Sequence, residues 1–389
     1  MREPNTFIIA QLSAARIFEA HRELGRRPLA DIVAPAAELA RRGVAVDAFH
    51  HYIIRILTPI MEATPEAFAL YESPGEPGSL IGEGELRRNV HAADSLEALV
   101  SEGPGLFYPG EWARDLARDC AEKGGHVTRE DLASYRVQRR DPVVFRHRGT
   151  RCAINPPPSP GGCLVAFALG VMGDWDPSRD RWGSTRHALN LLRGMRAASV
   201  ARHEFEMEAG ADRERMQEML GEDTIRAWQE GLHLHSLFSR GTTHISVADS
   251  AGNIASLTAS NGEGCAYVLP GTGIMLNNML GEEDLNPNGF HRWKEGRRLI
   301  SMMSPAIAEM PDGTRFALGS GGSNRIRSAI TQVLVNLLDF GMTPEEAVSA
   351  PRIHLERDML SIEPGFSEDA LGALTDAVPR NHQWPEQNL

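Results

Sequence analysis

The order of segments predicts an α+β fold in which sheets are covered by helices. Three observations carry this. Apolar positions recur with helical spacing over most of the first 140 residues, strand-like alternation takes over at 143–154 and again after Gly241, and helical spacing returns over about 324–340 and from about 367. Taken in order, residues 8–24 read as a helix stopped by Gly25, followed by helices at about 28–42 and 46–61. A loop rich in Gly and Pro covers 72–84, and helices resume near Ser95 and Glu111, the second ended by Gly124-Gly125. Thr128 with Asp131 three residues on marks the start of a short helix, close to a capping box.

Residues 143–154 alternate as strands about an Arg148-Gly149 turn, and the run 155–162 (NPPPSPGG) is a rigid loop before an apolar helix at Cys163. Charged helices cover about 185–207 and 212–230, and a polar connector spans 231–241. Residues 243–248 and 254–260 are strands flanking the hairpin signal Asp249-Ser250-Ala251-Gly252-Asn253. A further strand pair is expected at 274–277 and 316–319, then a helix over 324–340 stopped at Gly341. Thr343-Pro344-Glu345-Glu346 is a capping box with Pro at the first helical position, and a strand near 352–356 and a helix from about Ser367 follow.

The composition narrows the function classes. The chain has 389 residues, of which 42 % are hydrophobic and 24 % charged, enough for a large core, so disorder is not the default. With 40 basic and 52 acidic residues the net charge is −12, which argues against a nucleic-acid binder. The basic residues are almost all Arg, with only Lys123 and Lys294, so an anionic small substrate stays open. Cys120, Cys152, Cys163 and Cys265 show no C-x-x-C spacing, which disfavours a metal knuckle or a disulfide framework but leaves a single disulfide open. No apolar run reaches the ~18 residues of a membrane span. The N-terminal stretch carries Glu3 and polar residues and does not read as a signal peptide, so a cytoplasmic location is expected, or a periplasmic or secreted one if the natural chain starts earlier.

The sharpest feature is the run 241–247, GTTHISV. Alternation puts Thr243, Ile245 and Val247 on one face of the strand and Thr242, His244 and Ser246 on the other. In the next strand Ser256, Thr258 and Ser260 share a face opposite Ala255, Leu257 and Ala259. If the strands pair, a hydroxyl-rich surface gathers beside Thr242; the plainer reading is a Thr/Ser-rich exposed hairpin.

TTHISVADSAGN (242–253) resembles the start of the small subunit of the gamma-glutamyltranspeptidases, N-terminal nucleophile hydrolases. PGTGIMLNN (270–278), SMMSP (301–305), GSGGSNRI (319–326) and APRIH (350–354) resemble later family motifs in the family's order, and GHVTREDLASY (125–135) and NPPPSPGG resemble its large subunit. The likeness runs from about Glu23 onward. It implies a four-layer αββα sandwich, with a large-subunit-like region 1–241 and a small-subunit-like catalytic region 242–389 that stay associated. It implies self-cleavage of the Gly241–Thr242 bond, after which Thr242 is the nucleophile and its freed α-amino group the base. The substrate would be a glutathione-like γ-glutamyl compound, the acceptor water or an amino acid, with no cofactor, metal, nucleic acid or membrane span involved.

By position in the family, Ser260 holds the nucleophile's hydroxyl, Gly321 and Gly322 offer backbone N–H groups to an oxyanion, and Ser301 contacts the substrate α-carboxylate. Glu282 falls where the family has an aspartate for the substrate's α-amino group, with Glu283 and Asp284 as alternatives and a solvated acidic loop as the plain reading. Asn261 and Ser323 complete the substrate-binding set. A phosphate loop or simple turn is the other reading of GSGGS.

Four departures accompany the likeness. The family's early G-G-N-A-x-D-A-like segment and its carboxylate-gripping arginine have no counterpart, so an early strand of the central sheet is expected to be missing. Met302 replaces the second serine of the family's pair. Glu282 is longer than the usual aspartate, and the C-terminal match is shortened. These motivate two alternatives: a β-lactam or glutaryl acylase, or an unprocessed, non-catalytic relative. His233-x-His235 reads as a weak metal signal, His244 as a support of the strand pair, His50-His51 as helix surface, and the arginines of 193–202 as a helix face.

Overall fold

The computed structural model describes residues 13–207, 212–230, 242–282, 285–286, 289–290, 292–293, 296, 298–322, 324–356, 359–378 and 380–383. They form two compact units, Met1–Arg139 with Ser260–Gly281, and Arg140–Ala259 with Glu282–Leu389.

The first unit is mainly helical. Ser13–Leu24 ends where Gly25 N donates to His21 O, and Leu29–Arg42 follows. The single helix expected over 46–61 is two, Ala48–Ile56 and Thr58–Met61, because Pro59 has no N–H to continue the ladder. Pro65–Ala69 adds an unforeseen turn of helix, and Val44–Ala45 pairs with Leu86–Arg87 in a two-residue ladder. Val90–Glu102, Glu111–Glu122 and Arg129–Ser134 stand where helical spacing put them, the last with the full Thr128/Asp131 capping box. Phe107, Trp112 and Leu116 pack with Tyr267, Leu269 and Leu276 in this unit's core, where the Tyr267 hydroxyl donates to buried Asp119 at 2.8 Å.

The second unit is built on a four-stranded antiparallel sheet in the order Arg315–Leu318, Ala306–Glu309, Thr150–Ile154, Val143–His147. The Arg148-Gly149 turn is tight because both residues take positive φ, 50° and 81°. The strand at 316–319 therefore pairs with an unforeseen strand, Ala306–Glu309, and Ile274–Met275 pairs with Val268–Leu269 in the first unit. The two expected strands exist, but each has a different partner from the one expected, since short apolar runs carry no register information.

Cys152, Ile154, Ala306 and Ala308 turn one face of the sheet onto the helix Pro160–Val171, itself buried nearly all round, with Thr185–Glu204 and Arg325–Leu338 beside it. Arg202 is buried within this packing rather than displayed on the helix surface, and Arg196 donates to Ala377 O. The expected helix over 212–230 is interrupted at Gly221, giving Arg213–Met219 and Glu222–Glu230. A three-stranded sheet, Ile353–Glu356, Met359–Ile362 and Arg380–Gln383, lies in the same unit, its last pairing parallel. The four cysteine thiols are free.

Candidate active site

The expected hairpin forms between Thr243–Ala248 and Ile254–Ala259, with His244 opposite Thr258 and Ser246 opposite Ser256. Its turn is tied by Asp249, whose Oδ1 accepts from Ala251 N and Asn253 N at 3.0 and 2.8 Å. The apolar face is the outer one: Ile245, Val247 and Leu257 are 52 %, 57 % and 53 % exposed. The polar face lies against the edge strand Arg315–Leu318, where the Ser246 hydroxyl donates to Ala317 O (3.0 Å) and the Ser256 hydroxyl to Leu318 O (3.1 Å). The hydroxyl-rich surface thus runs as a seam along the neighbouring edge strand, with Ser246 still exposed and His244, Ser256 and Thr258 half-buried.

The seam fixes one state of His244. Ser246 spends its proton on Ala317 O, so it accepts from His244 Nε2 at 2.9 Å, and Nδ1 accepts from Thr258 Oγ1 at 2.8 Å. Burial holds the His244 pKa below the ordinary imidazole range, which favours this neutral form. Its ring lies where a side chain at Gly319 would collide with it. Supporting the strand pair is what these contacts do.

Thr242 begins the hairpin, half-buried. A Cβ at Gly321 would collide with Thr242 O, so only glycine lets the 319–322 loop approach the Thr242 backbone this closely. Gly322 follows with φ +108°, and its carbonyl accepts from Arg325 N at 3.1 Å. Thr242, Gly321 and Gly322 are therefore brought together, a hydroxyl residue beside a loop of small, conformationally permissive backbone.

The remaining expected residues are placed as follows. Ser301 is half-buried and its Oγ accepts from Met303 N at 3.1 Å. Met302 is buried, and Ser304 beside it donates to Met302 O at 2.8 Å. A side chain at Gly161 would collide with Met302 O, which sets the NPPPSPGG loop against the SMMSP segment. Glu282 is buried rather than solvated, with Asn286 Nδ2 donating to its carbonyl at 2.8 Å and Trp293 Nε1 donating to Asn286 Oδ1 at 3.0 Å. Ser260 and Asn261 belong to the first unit; Ser260 Oγ accepts from Gly262 N at 3.0 Å, and Asn261 O from Gly264 N at 3.1 Å. Gly241, Glu283, Asp284, Ser323, His233 and His235 lie outside the described residues. Among the described residues no group of three or more His, Cys, Asp or Glu is arranged to hold a metal, and no helix is long and apolar enough to cross a membrane.

Sequence reasoning missed two things. One is that Ser246 and Ser256 reach the edge strand, for which the hydroxyl alternation was the available signal. The other is the pair formed by Asn324 and Glu356, 3.0 Å apart and 32 residues distant in sequence, for which there was none.

The sequence profile of the Gamma-glutamyltranspeptidase family matches residues 13–388. The chain is 31 % identical over 388 residues to the acylase ACY 1 proenzyme of Pseudomonas sp. (strain V22), covering 94 % of this chain and 66 % of that protein. It is 28 % identical over 379 residues to the glutathione hydrolase proenzyme of Escherichia coli (strain K12), covering 90 % and 65 %. The chain thus spans just under two thirds of the length of these relatives. The crystal structure of a cephalosporin acylase from Bacillus halodurans superposes with a TM-score of 0.80 at 23 % identity, covering 97 % of this chain and 70 % of that one. The α+β fold is shared with this acylase, and the chain belongs to the gamma-glutamyltranspeptidase family.

Proposed function

We propose that this chain is a self-processing acyl-transfer enzyme whose nucleophile is Thr242. The observation that carries the reading is the close approach of Gly321 to the Thr242 carbonyl oxygen, which leaves room for no side chain and supports a glycine-lined site at this hydroxyl residue. In the first step the Thr242 hydroxyl adds to the carbonyl carbon of residue 241, the peptide C–N bond breaks to leave a free Thr242 amine and an ester on its hydroxyl oxygen, and water hydrolyses that ester to free the hydroxyl and the carboxylate of residue 241. That amine, with a reference pKa of about 7.7–8.0, then takes the hydroxyl proton as Thr242 attacks an amide substrate. The N–H groups of Gly321 and Gly322 stabilise the oxyanion, the amine product leaves with the proton, and water or an amino acid takes the acyl group from the ester. Strands Thr150–Ile154 and Ala306–Glu309 come from opposite sides of the cut and pair directly, which supports association of the two pieces afterwards.

The acyl group proposed is γ-glutamyl, held at its α-carboxylate by Ser301 and at its α-amino group by Glu282, whose burial suits an ammonium partner. Ser260, Asn261 and Ser323 are carried over by position as further contacts. A second reading, a glutaryl or β-lactam side-chain acylase, is favoured by buried Met302, which removes a hydroxyl donor, and by the likeness to a protein named an acylase.

Denaturing gels and N-terminal sequencing of purified protein test the first step: two pieces are expected, the smaller starting at Thr242, and Thr242→Ala is expected to stay whole. An intact wild-type chain that acquires no label from a γ-glutamyl affinity reagent would overturn the reading in favour of a non-catalytic relative. Turnover of γ-glutamyl-p-nitroanilide against glutaryl amides separates the two substrate classes.

A further inference from the structure

Two motifs that the proposed chemistry leaves unused, the asparagine of GSGGSNRI and the histidine of APRIH, are joined in the second unit. His354 and Glu356 share a face of the strand Ile353–Glu356, as residues two apart must. His354 Nε2 donates to Glu356 Oε2 at 3.0 Å, and Nδ1 shares a 2.7 Å hydrogen bond with the Ser328 hydroxyl on the helix Arg325–Leu338. The other carboxylate oxygen, Oε1, accepts from Asn324 Nδ2 at 3.0 Å. Asn324 and Glu356 are only 2 % and 6 % exposed. The strand is itself locked to the helix, since Gln332 donates to Ile353 O and accepts from Ile353 N, both at 2.9 Å.

The arrangement has the residue types of a hydrolytic triad, but Ser328 is buried and its hydroxyl also donates to Arg325 O at 3.1 Å. It is therefore not placed to attack a substrate. What it does hold is Asn324, two residues after Gly322. Adjacent glycines are the least self-restrained backbone a chain can have, so the fixed position that oxyanion donors require must come from the flanks. On one flank the loop is anchored by the strand Arg315–Leu318 in its sheet. On the other the anchor is Asn324.

We propose that His354 and Glu356 are positioning residues for the Gly321–Gly322 loop, acting through Asn324 to hold the loop against Thr242. This rests on the reading above only in assigning the loop an oxyanion role; the positioning itself is a property of the folded chain. A buried carboxylate accepting from two partners is a stiff anchor, and removing it leaves both partners without an acceptor.

Hydrogen exchange read by mass spectrometry on the full chain tests this. In Glu356→Ala the peptide carrying Gly321 and Gly322 is expected to exchange about 5-fold faster or more, with the 243–259 hairpin peptides unchanged. Glu356→Gln, which keeps an oxygen for Asn324, is expected to restore most of the protection, and His354→Gln to fall between. An unchanged glycine peptide in Glu356→Ala, or equal loosening of loop and hairpin, overturns the proposal; should Glu356→Ala not fold, His354→Gln against wild type decides it by the same criterion. On whichever acyl amide the wild type turns over, Glu356→Ala is expected to lower kcat about 10-fold with KM within about 2-fold, and a rise in KM alone also overturns it. A wild type that neither cleaves nor turns over substrate counts against the proposed function, while the exchange result still decides the positioning.

Discussion

The two faces of the 243–259 hairpin invert the usual arrangement. The inner face carries His244, Ser246, Ser256 and Thr258, each satisfied by a neighbour or by a carbonyl of the adjoining strand. The outer face carries Ile245, Val247 and Leu257, each more than half exposed. The polar groups lie along the adjoining strand with their hydrogen bonds closed, Ser246 exposed and the other three half-buried. Such a seam contributes little net stability per bond but fixes geometry, which is what a site at its end requires. The outer face has the composition of a core without the burial of one, so its three large side chains contribute far less in this chain than their chemistry allows.

The largest effect is expected at the end of the inner face: Thr242→Ala should abolish cleavage and lower acyl transfer at least about 10³-fold, read on gels and with a chromogenic amide. Next comes Gly321→Ala, whose added carbon would strike Thr242 O; a fall of about 10²–10³ in kcat is expected, with the chain still folded by circular dichroism. Within the seam, His244→Ala removes the hydrogen-bond partner of half-buried Thr258 and exposed Ser246 and should cost about 0.5–1.5 kcal/mol in urea unfolding.

The seam should also respond to acid. His244 has its pKa lowered from 6.5 by burial, so the unfolded chain takes up a proton more readily than the folded one. The stability attached to neutral His244 is then full above about pH 6.5 and lost as pH falls through the folded value. Wild type should lose more stability than His244→Gln between about pH 7.5 and 5, while His187, pushed down to about 4 by burial, titrates in both and cancels. The smallest effect is expected outside: Val247→Thr and Leu257→Thr should each change stability by no more than about 0.5 kcal/mol. A cost of about 1–3 kcal/mol there would mean that the outer face is covered in solution, and the contrast would dissolve.

Local signals were legible in the sequence. Both capping boxes, Thr128/Asp131 and Thr343/Glu346, close as read, and the Arg148-Gly149 and 249–253 turns are where turn chemistry put them. The hairpin itself and the residues sharing each of its faces were legible too, because alternation and a short turn signal suffice for both. Which face is covered was not, since alternation separates two faces without saying what lies against either. Pairings between distant strands escaped for the same reason: nothing in Phe316 points to Ala308, and nothing in Glu356 points to Asn324. The meeting of Thr242 and Gly321 was expected from family resemblance rather than from spacing, and no local rule would have predicted it.

The four-stranded sheet takes two neighbouring strands, Thr150–Ile154 and Ala306–Glu309, from either side of residue 242. Its central ladder therefore becomes, after a cut at that point, a joint between separate polypeptides. Recovery of the intact chain from denaturant is first order and indifferent to dilution, whereas recovery of the cut molecule requires two pieces to meet and slows as the solution is thinned. Scission would make regaining the fold a matter of concentration.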